Sequence, residues 1–268
     1  MSAGKGRIAL NAFCGLVMVL LIAPALVAVP MSFNGRATFE FPPRSWSTRW
    51  YENLLSDVTW RDAIVHSLTV AAIVTVVATA IGTAAAYGLA RGRFPGRAAV
   101  MALATAPMII PIVLVAIALY AIFLEARMVG TLQAFVIAHS LIALPFVIVT
   151  VTAGLRSLDD GLERAARTLG AGPAVAFFTV TLPLLKRSLA IAAALAFAAS
   201  LDDVVVAMFI SSPTFQTLPV KIYSSLTDTV DPTVAVASTL TLSLAALGMA
   251  VAFLVMTKKG AAGDAASR

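Results

Sequence analysis

The sequence is short of charge. Asp, Glu, Lys and Arg together make up 12% of its 268 residues, against 60% apolar residues, where a soluble domain carries about 25% charged residues. That shortage excludes an ordinary water-soluble domain. Cysteine occurs once, as Cys14, which excludes an intrachain disulfide and a thiolate metal cage. Histidine occurs twice. His66 and His139 stand near the starts of apolar runs with no ligand set beside them, so each is expected to be a hydrogen-bonded packing residue rather than a metal ligand. No GxxxxGK[ST] loop is present, so the chain does not bind ATP in that way, and neither HExxH nor GxSxG occurs. No catalytic residue, cofactor or metal is therefore expected. The net charge of +6 does not point to nucleic acid: in a membrane protein, basic residues mark the loops that stay in the cytoplasm.

What the sequence has in quantity is apolar runs. About 20 mostly apolar residues cross the hydrocarbon of a bilayer, and six stretches qualify, near 8–30, 63–90, 98–124, 132–153, 188–210 and 234–256. The expected architecture is all-α, a single polytopic transmembrane domain over residues 1–268. The first stretch is too long for a signal-peptide core and is expected to be a retained helix. Thirteen of the nineteen Lys and Arg residues fall on one set of loops and termini. That side is expected to be cytoplasmic, with both termini on it. The outer segment 31–62 holds all three tryptophans, Trp46, Trp50 and Trp60. They read as an interfacial aromatic belt, with a docking surface for an extracytoplasmic partner as the alternative. The outer loop 211–232 contains Tyr223, and its run TLPVKIYSSL suits a short helix tucked toward the membrane.

The longest polar-bearing connection on the cytoplasmic side, residues 154–187, has a helical signal of its own. Leu158, Leu162, Ala165, Ala166 and Leu169 recur at spacings of three and four. Asp159 or Asp160 can cap the start, with Glu163 in the first turn. Gly170 and Gly172-Pro173 stop it. This short amphipathic helix lies outside the bilayer, either flat on lipid headgroups or plugged into a groove on another protein.

The chemical anomaly is Asp202-Asp203 in SLDDVVVAMFI, two carboxylates well inside the fifth apolar stretch. A charge at mid-membrane costs about 2.5–3.5 kcal/mol on insertion scales and nearly always faces a bundle interior or a wet cavity. Consecutive residues of a helix point about 100° apart, so the pair cannot face one point from an unbroken helix. One acid can line a pathway while the other bonds a neighbouring helix, or the helix breaks here and an Asp caps it. A purely structural role is the alternative.

The run RAARTLGAGPAVAFFTVTLPLL resembles the cytoplasmic signature of bacterial ABC importer permeases, E-A-A, three residues, G, then hydrophobic-x-L-P further on. Ala165, Ala166, Gly170, Leu182 and Pro183 match it; Arg164 stands where the family usually has glutamate, and Glu163 is one step early. TRWYENLL, HSLTVA, ARGRFPGR, AHSLIALPFVIVTV, SLDDVVVAMF and LPVKIYS extend the likeness over nearly the whole chain, toward the second permease of spermidine/putrescine-type importers. The resemblance implies a type I importer permease fold with six transmembrane helices and a cytoplasmic coupling helix, in a bacterial inner membrane. It implies a second permease subunit, two copies of a cytoplasmic ATPase and an extracytoplasmic binding protein as partners, and no nucleic acid. It places ATPase coupling on Glu163, Arg164, Ala165, Ala166, Leu169, Gly170, Leu182 and Pro183, and a substrate pathway or gate at Asp202, Asp203 and Tyr223. After Pro111, where many polyamine permeases carry an acid, this chain has Ile112; amino-acid-like or opine-like solutes are thus alternatives to a polyamine. From a different class, a stand-alone ion-coupled secondary transporter or a membrane scaffold remains an alternative.

Overall fold

The computed structural model describes residues 3–228 and 231–257; Lys258, Lys259 and Arg268, counted among the basic residues expected on the cytoplasmic side, lie outside them. Helices follow one another as α1 (Ala3–Ser32), α2 (Arg49–Ser56), α3 (Val58–Arg91), α4 (Arg97–Thr105), α5 (Ile112–Glu125), α6 (Leu132–Ser157), α7 (Asp160–Thr168), α8 (Pro173–Ala176), α9 (Leu182–Leu184), α10 (Lys186–Leu201), α11 (Val205–Ile210), α12 (Leu218–Asp228) and α13 (Thr233–Thr257). Among the described residues, β-structure is limited to two isolated bridges. Apolar runs of this length must satisfy their backbone hydrogen bonds internally once out of water, and only the helix does so within one segment. The chain is an all-α polytopic membrane protein. Among the described residues, α3, α6 and Thr233–Leu254 of α13 are each long and apolar enough to cross a bilayer, and two bent helix pairs bring the total to five if each pair counts as one crossing.

Both bends have a proline behind them. Between α4 and α5 the chain passes through a 3-10 turn at Ala106–Met108 and then Pro111, and the two arms meet at 96°. Pro107 and Pro111 donate no backbone N–H and so interrupt the helical hydrogen-bond ladder there. The segment Pro173–Leu184 meets α10 at 75°. There a π-helical turn, Phe177–Thr181, widens the backbone just ahead of Pro183, whose ring would clash with the carbonyl four residues earlier in a regular helix.

Two compact units divide the chain. The larger comprises residues 62–220 and 244–268. In it α10 packs along α6 and α11 along α5, around a core of small and β-branched side chains such as Val74, Ala78, Ala138, Val147, Val151 and Ala192. The close approach depends on missing side chains. A Cβ on Gly154 of α6 would fall 2.7 Å from Ser188 Cβ, and one on Gly82 of α3 would fall 2.6 Å from Val147 Cγ1. Small residues at such crossings let helix backbones approach without a hydrophobic driving force. His66 Nδ1 donates to Gln216 O at 3.1 Å, and its ring stacks on Phe215.

The other unit, residues 1–61 and 221–243, corrects the aromatic-belt reading for Trp60. Trp60 is 1% exposed, and its indole N–H donates to Asp231 at 3.3 Å. Trp50 donates to the Asn34 carbonyl at 2.8 Å, and only Trp46 stands largely exposed. A buried indole N–H requires an acceptor, and Asp231 is 171 residues away in sequence, which no local pattern shows. Asn53 donates to Thr233 at 2.8 Å in the same cluster. Tyr223 lies on α12 in this unit with its side chain exposed.

Candidate coupling site and intramembrane carboxylates

α7 is made by its ends. The Asp159 carboxylate accepts from Gly161 N at 2.8 Å and caps the start, and Asp160 and Glu163 follow in the first turn, where negative charge suits the helix dipole. At the other end Gly170 adopts φ +95°. Gly170 N donates to Arg167 O and Ala171 N to Ala166 O, both within 3.1 Å. This is the Schellman pattern, and a residue without Cβ suits its left-handed position.

One acid of this helix turns inward. Glu163 is 7% exposed. Its Oε1 accepts from Tyr87 Oη at 2.5 Å and Arg167 Nη2 at 2.6 Å, and its Oε2 accepts from Thr181 Oγ1 at 2.9 Å. Burial pushes the Glu163 carboxyl up, but the hydrogen bonds from Tyr87 and Thr181 and the Arg167 charge outweigh it, and the group titrates below the ordinary carboxylate value. Tyr87 also packs edge-on against Phe177, ring centroids 4.8 Å apart. One turn further along α3, Arg91 pairs with Asp160. Two residues four apart on α3 thus grip two residues three apart on α7, since each spacing puts its pair on one helix face. Thr181 closes the site from the π-helical turn beside Leu182-Pro183.

Among the described residues, nothing fully covers the opposite face of α7. Leu162 is 50% and Leu169 89% exposed, and Arg164 and Ala165 are exposed beside them. The Arg164 side chain donates to the Asp160 carbonyl at 3.4 Å. Of the eight residues expected to couple, Glu163 faces into the chain. Leu162, which the family pattern does not single out, shares the exposed face with Leu169. Leu182 is half-buried and Pro183 exposed. The Glu163–Arg167 pair is readable from its spacing of four; Tyr87, Arg91 and Thr181 as its partners are not, because they come from other elements.

In the fifth apolar stretch the helix breaks at the two acids. α10 ends at Leu201, with Asp202 as its C-cap, and α11 starts at Val205. Asp203 Oδ2 accepts from Ala207 N at 2.9 Å, which satisfies one of the free amides at the start of α11. The same oxygen lies 3.6 Å from Nε2 of His139 on α6. His139 Nδ1 in turn meets the Ser200 hydroxyl at 3.0 Å. Asp203 is therefore held inside the bundle, whereas Asp202 is exposed from this chain. His139 is the hydrogen-bonded packing residue that the sequence suggested; its nearness to Asp203 was not legible, and the available signal was a buried carboxylate that needed a partner from another span. Among the described residues, no group of three His, Cys, Asp or Glu side chains is placed to hold a metal ion.

A membrane-embedded helical chain, with a short helix braced outside its spans and without a nucleotide loop, has the form of a transport subunit. Comparison makes the class specific. The chain belongs to the family described as binding-protein-dependent transport system inner membrane component, which matches residues 78–258, and it is a permease subunit of an ABC importer. It is 35% identical to the putrescine transport system permease protein PotI of Escherichia coli (strain K12), over 89% of this chain and 87% of that one. It is 32% identical to the spermidine/putrescine transport system permease protein PotC of Haemophilus influenzae, over 93% of this chain and 96% of that one. Its fold is shared by a bacterial alginate ABC transporter crystallised with an alginate pentasaccharide-bound periplasmic protein, with a TM-score of 0.73 at 15% identity over 93% of both chains.

Proposed function

We propose that this permease subunit forms half of the pathway for a small organic cation of polyamine type, delivered by an extracytoplasmic binding protein. It pairs with a second permease and receives work from two copies of a cytoplasmic ATPase. The observation that carries the coupling role is α7: an exposed Leu162–Leu169 face on a helix tied by Glu163 and Asp160 to the end of α3. A plug on a stiff stalk transmits a push; an untethered amphipathic helix does not. Closure of the ATPase pair moves α7 as a rigid body. Tyr87 and Arg91 pass the displacement into α3, and Leu182-Pro183 passes it into α10, which ends at the Asp202–Asp203 break. Six crossings, with α1 as the first, and cytoplasmic termini complete the arrangement.

The cationic passenger is supported by the exposed Asp202 carboxylate within an apolar stretch and by the solutes that the PotI and PotC names carry. Tyr223, exposed on α12, offers an aromatic face of the kind cations favour. Ile112 after Pro111 favours a second reading, a less charged amino-acid-like or opine-like solute. The test is co-expression with the neighbouring genes, purification and uptake in proteoliposomes. An ATPase and a second permease should co-purify, and labelled putrescine should enter only with ATP and binding protein. Transport by this chain alone would refute the subunit assignment in favour of a secondary transporter, and uptake of an amino acid but not putrescine would refute the polyamine.

A further inference from the structure

Away from the coupling contacts, the larger unit contains a cavity of about 480 Å³ lined by Leu89, Arg97, Ala98, Met101, Thr152 and Arg156. It lies where the end of α3, the start of α4 and the end of α6 meet, on the end of the bundle that carries α7. Its chemistry is lopsided. Two arginines line it. Among the described residues neither has an acidic side chain within 4.0 Å, whereas nearby Arg91 and Arg167 are paired. α4 begins with Arg97 itself. Among the described residues no side chain caps its first-turn amides, and no acid stands in its first turn, although the positive end of a helix favours an anion. Thr152 is 4% exposed, and among the described residues its hydroxyl has no hydrogen-bond partner. Three independent features therefore ask for an acceptor-rich anion at one spot. Leu89, Ala98 and Met101 supply an apolar wall beside it.

We propose that this cavity binds the headgroup phosphate of an anionic phospholipid from the cytoplasmic leaflet. Arg97 and Arg156 hold the phosphate, the open amides at the start of α4 face it, and the apolar wall takes the glycerol and upper acyl carbons. Basic pockets between transmembrane helices on the cytoplasmic side are suited to such headgroups. A free phosphate offers the same anion. It leaves the apolar wall unsatisfied, however, and fills little of a cavity within the roughly 300–1,000 Å³ typical of small-molecule sites. The lipid would brace α4 against α6, beside the end of α3 that α7 grips.

The full-length chain, with the subunits that co-purify, is titrated in mild detergent with phosphatidylglycerol and with phosphatidylcholine of equal chain length, and retained lipid is counted by native mass spectrometry. Phosphatidylglycerol should be retained in preference to phosphatidylcholine. The double variant R97Q/R156Q should weaken that retention roughly tenfold or more, and R97K/R156K should restore much of it. R93Q, at an exposed arginine outside the cavity, should leave it unchanged. Equal retention of the two lipids, undiminished binding in R97Q/R156Q, a lysine variant as poor as the glutamine one, or an equal loss in R93Q would each overturn the proposal. Displacement of the lipid by excess inorganic phosphate or glycerol 3-phosphate would overturn the lipid assignment in favour of a soluble anion.

Discussion

Replacing Glu163 with alanine tests whether α7 is a braced lever. The side chain accepts three hydrogen bonds, from Tyr87, Arg167 and Thr181. Arg167 is 46% exposed, so it returns to water at little cost and contributes little. Tyr87 and Thr181 are the expensive losses, because their hydroxyls stay inside with no acceptor. Hydrogen bonds to a charged group are worth about 1.5–3 kcal/mol each, so losing the two from Tyr87 and Thr181 costs about 3 kcal/mol or more. Even ~3 kcal/mol shifts the docked-to-undocked ratio of α7 by roughly 100-fold. Glu163→Gln keeps the size and one acceptor oxygen and should cost about half as much. The assay pairs spin labels at Arg93 and Thr168, both exposed, in a Cys14→Ser background. In E163A the distribution of distances between α7 and the segment just after α3 should broaden, and ATP hydrolysis should continue while uptake falls. A distribution and an uptake rate indistinguishable from the parent would refute the reasoning. The pH dependence has a definite sign. The folded Glu163 pKa lies below its ordinary 4.5, so its contribution is complete above that value and is lost only as pH falls through the folded pKa. The distance distribution should therefore be constant around neutrality and broaden only in acid.

Other positions give sharper contrasts. Gly170→Val forces a β-branched residue into φ +95°, at a cost of about 1–3 kcal/mol, and should uncouple ATP hydrolysis from uptake while the chain still inserts; normal uptake in that variant would count against the stop at Gly170. On α3, Gly82→Ala should lower the melting temperature because its Cβ would meet Val147 at 2.6 Å, with overpacking costs of about 1–3 kcal/mol. Gly88→Ala, whose Cβ meets nothing within 4 Å, should raise it by up to ~1 kcal/mol equivalent. Asp203→Ala should destabilise by about 1–3 kcal/mol by stripping Ala207 N of its acceptor, whereas Asp203→Asn should be milder. Asp202→Asn should leave thermal stability unchanged and reduce cation uptake. Full uptake in Asp202→Asn would remove Asp202 from the pathway.

Local chemistry, written in the sequence, decided the class of this protein and the shape of its coupling segment. Scarce charge and long apolar runs require helices in lipid, because no other structure satisfies the backbone within one segment. The caps of α7 are nearest-neighbour effects: Asp159 bonds an amide two residues on, and Gly170 takes a conformation that a side chain would strain. The family signature of Ala165, Ala166, Gly170, Leu182 and Pro183 was legible for the same reason, as were the prolines behind the bends. Tertiary structure alone decided which side of each polar residue matters. Glu163 reads as one more surface charge until Tyr87, 76 residues away, takes it inward. Asp202 and Asp203 are chemically identical neighbours that a break in the helix sends to different places, one outward and one to His139 on α6. Trp60 became a core residue through Asp231, and Arg97 and Arg156 became a pair only where α4 met α6. Pairings of this kind depend on which helix packs beside which, and that is set by volume and close approach across the whole bundle rather than by any window of sequence.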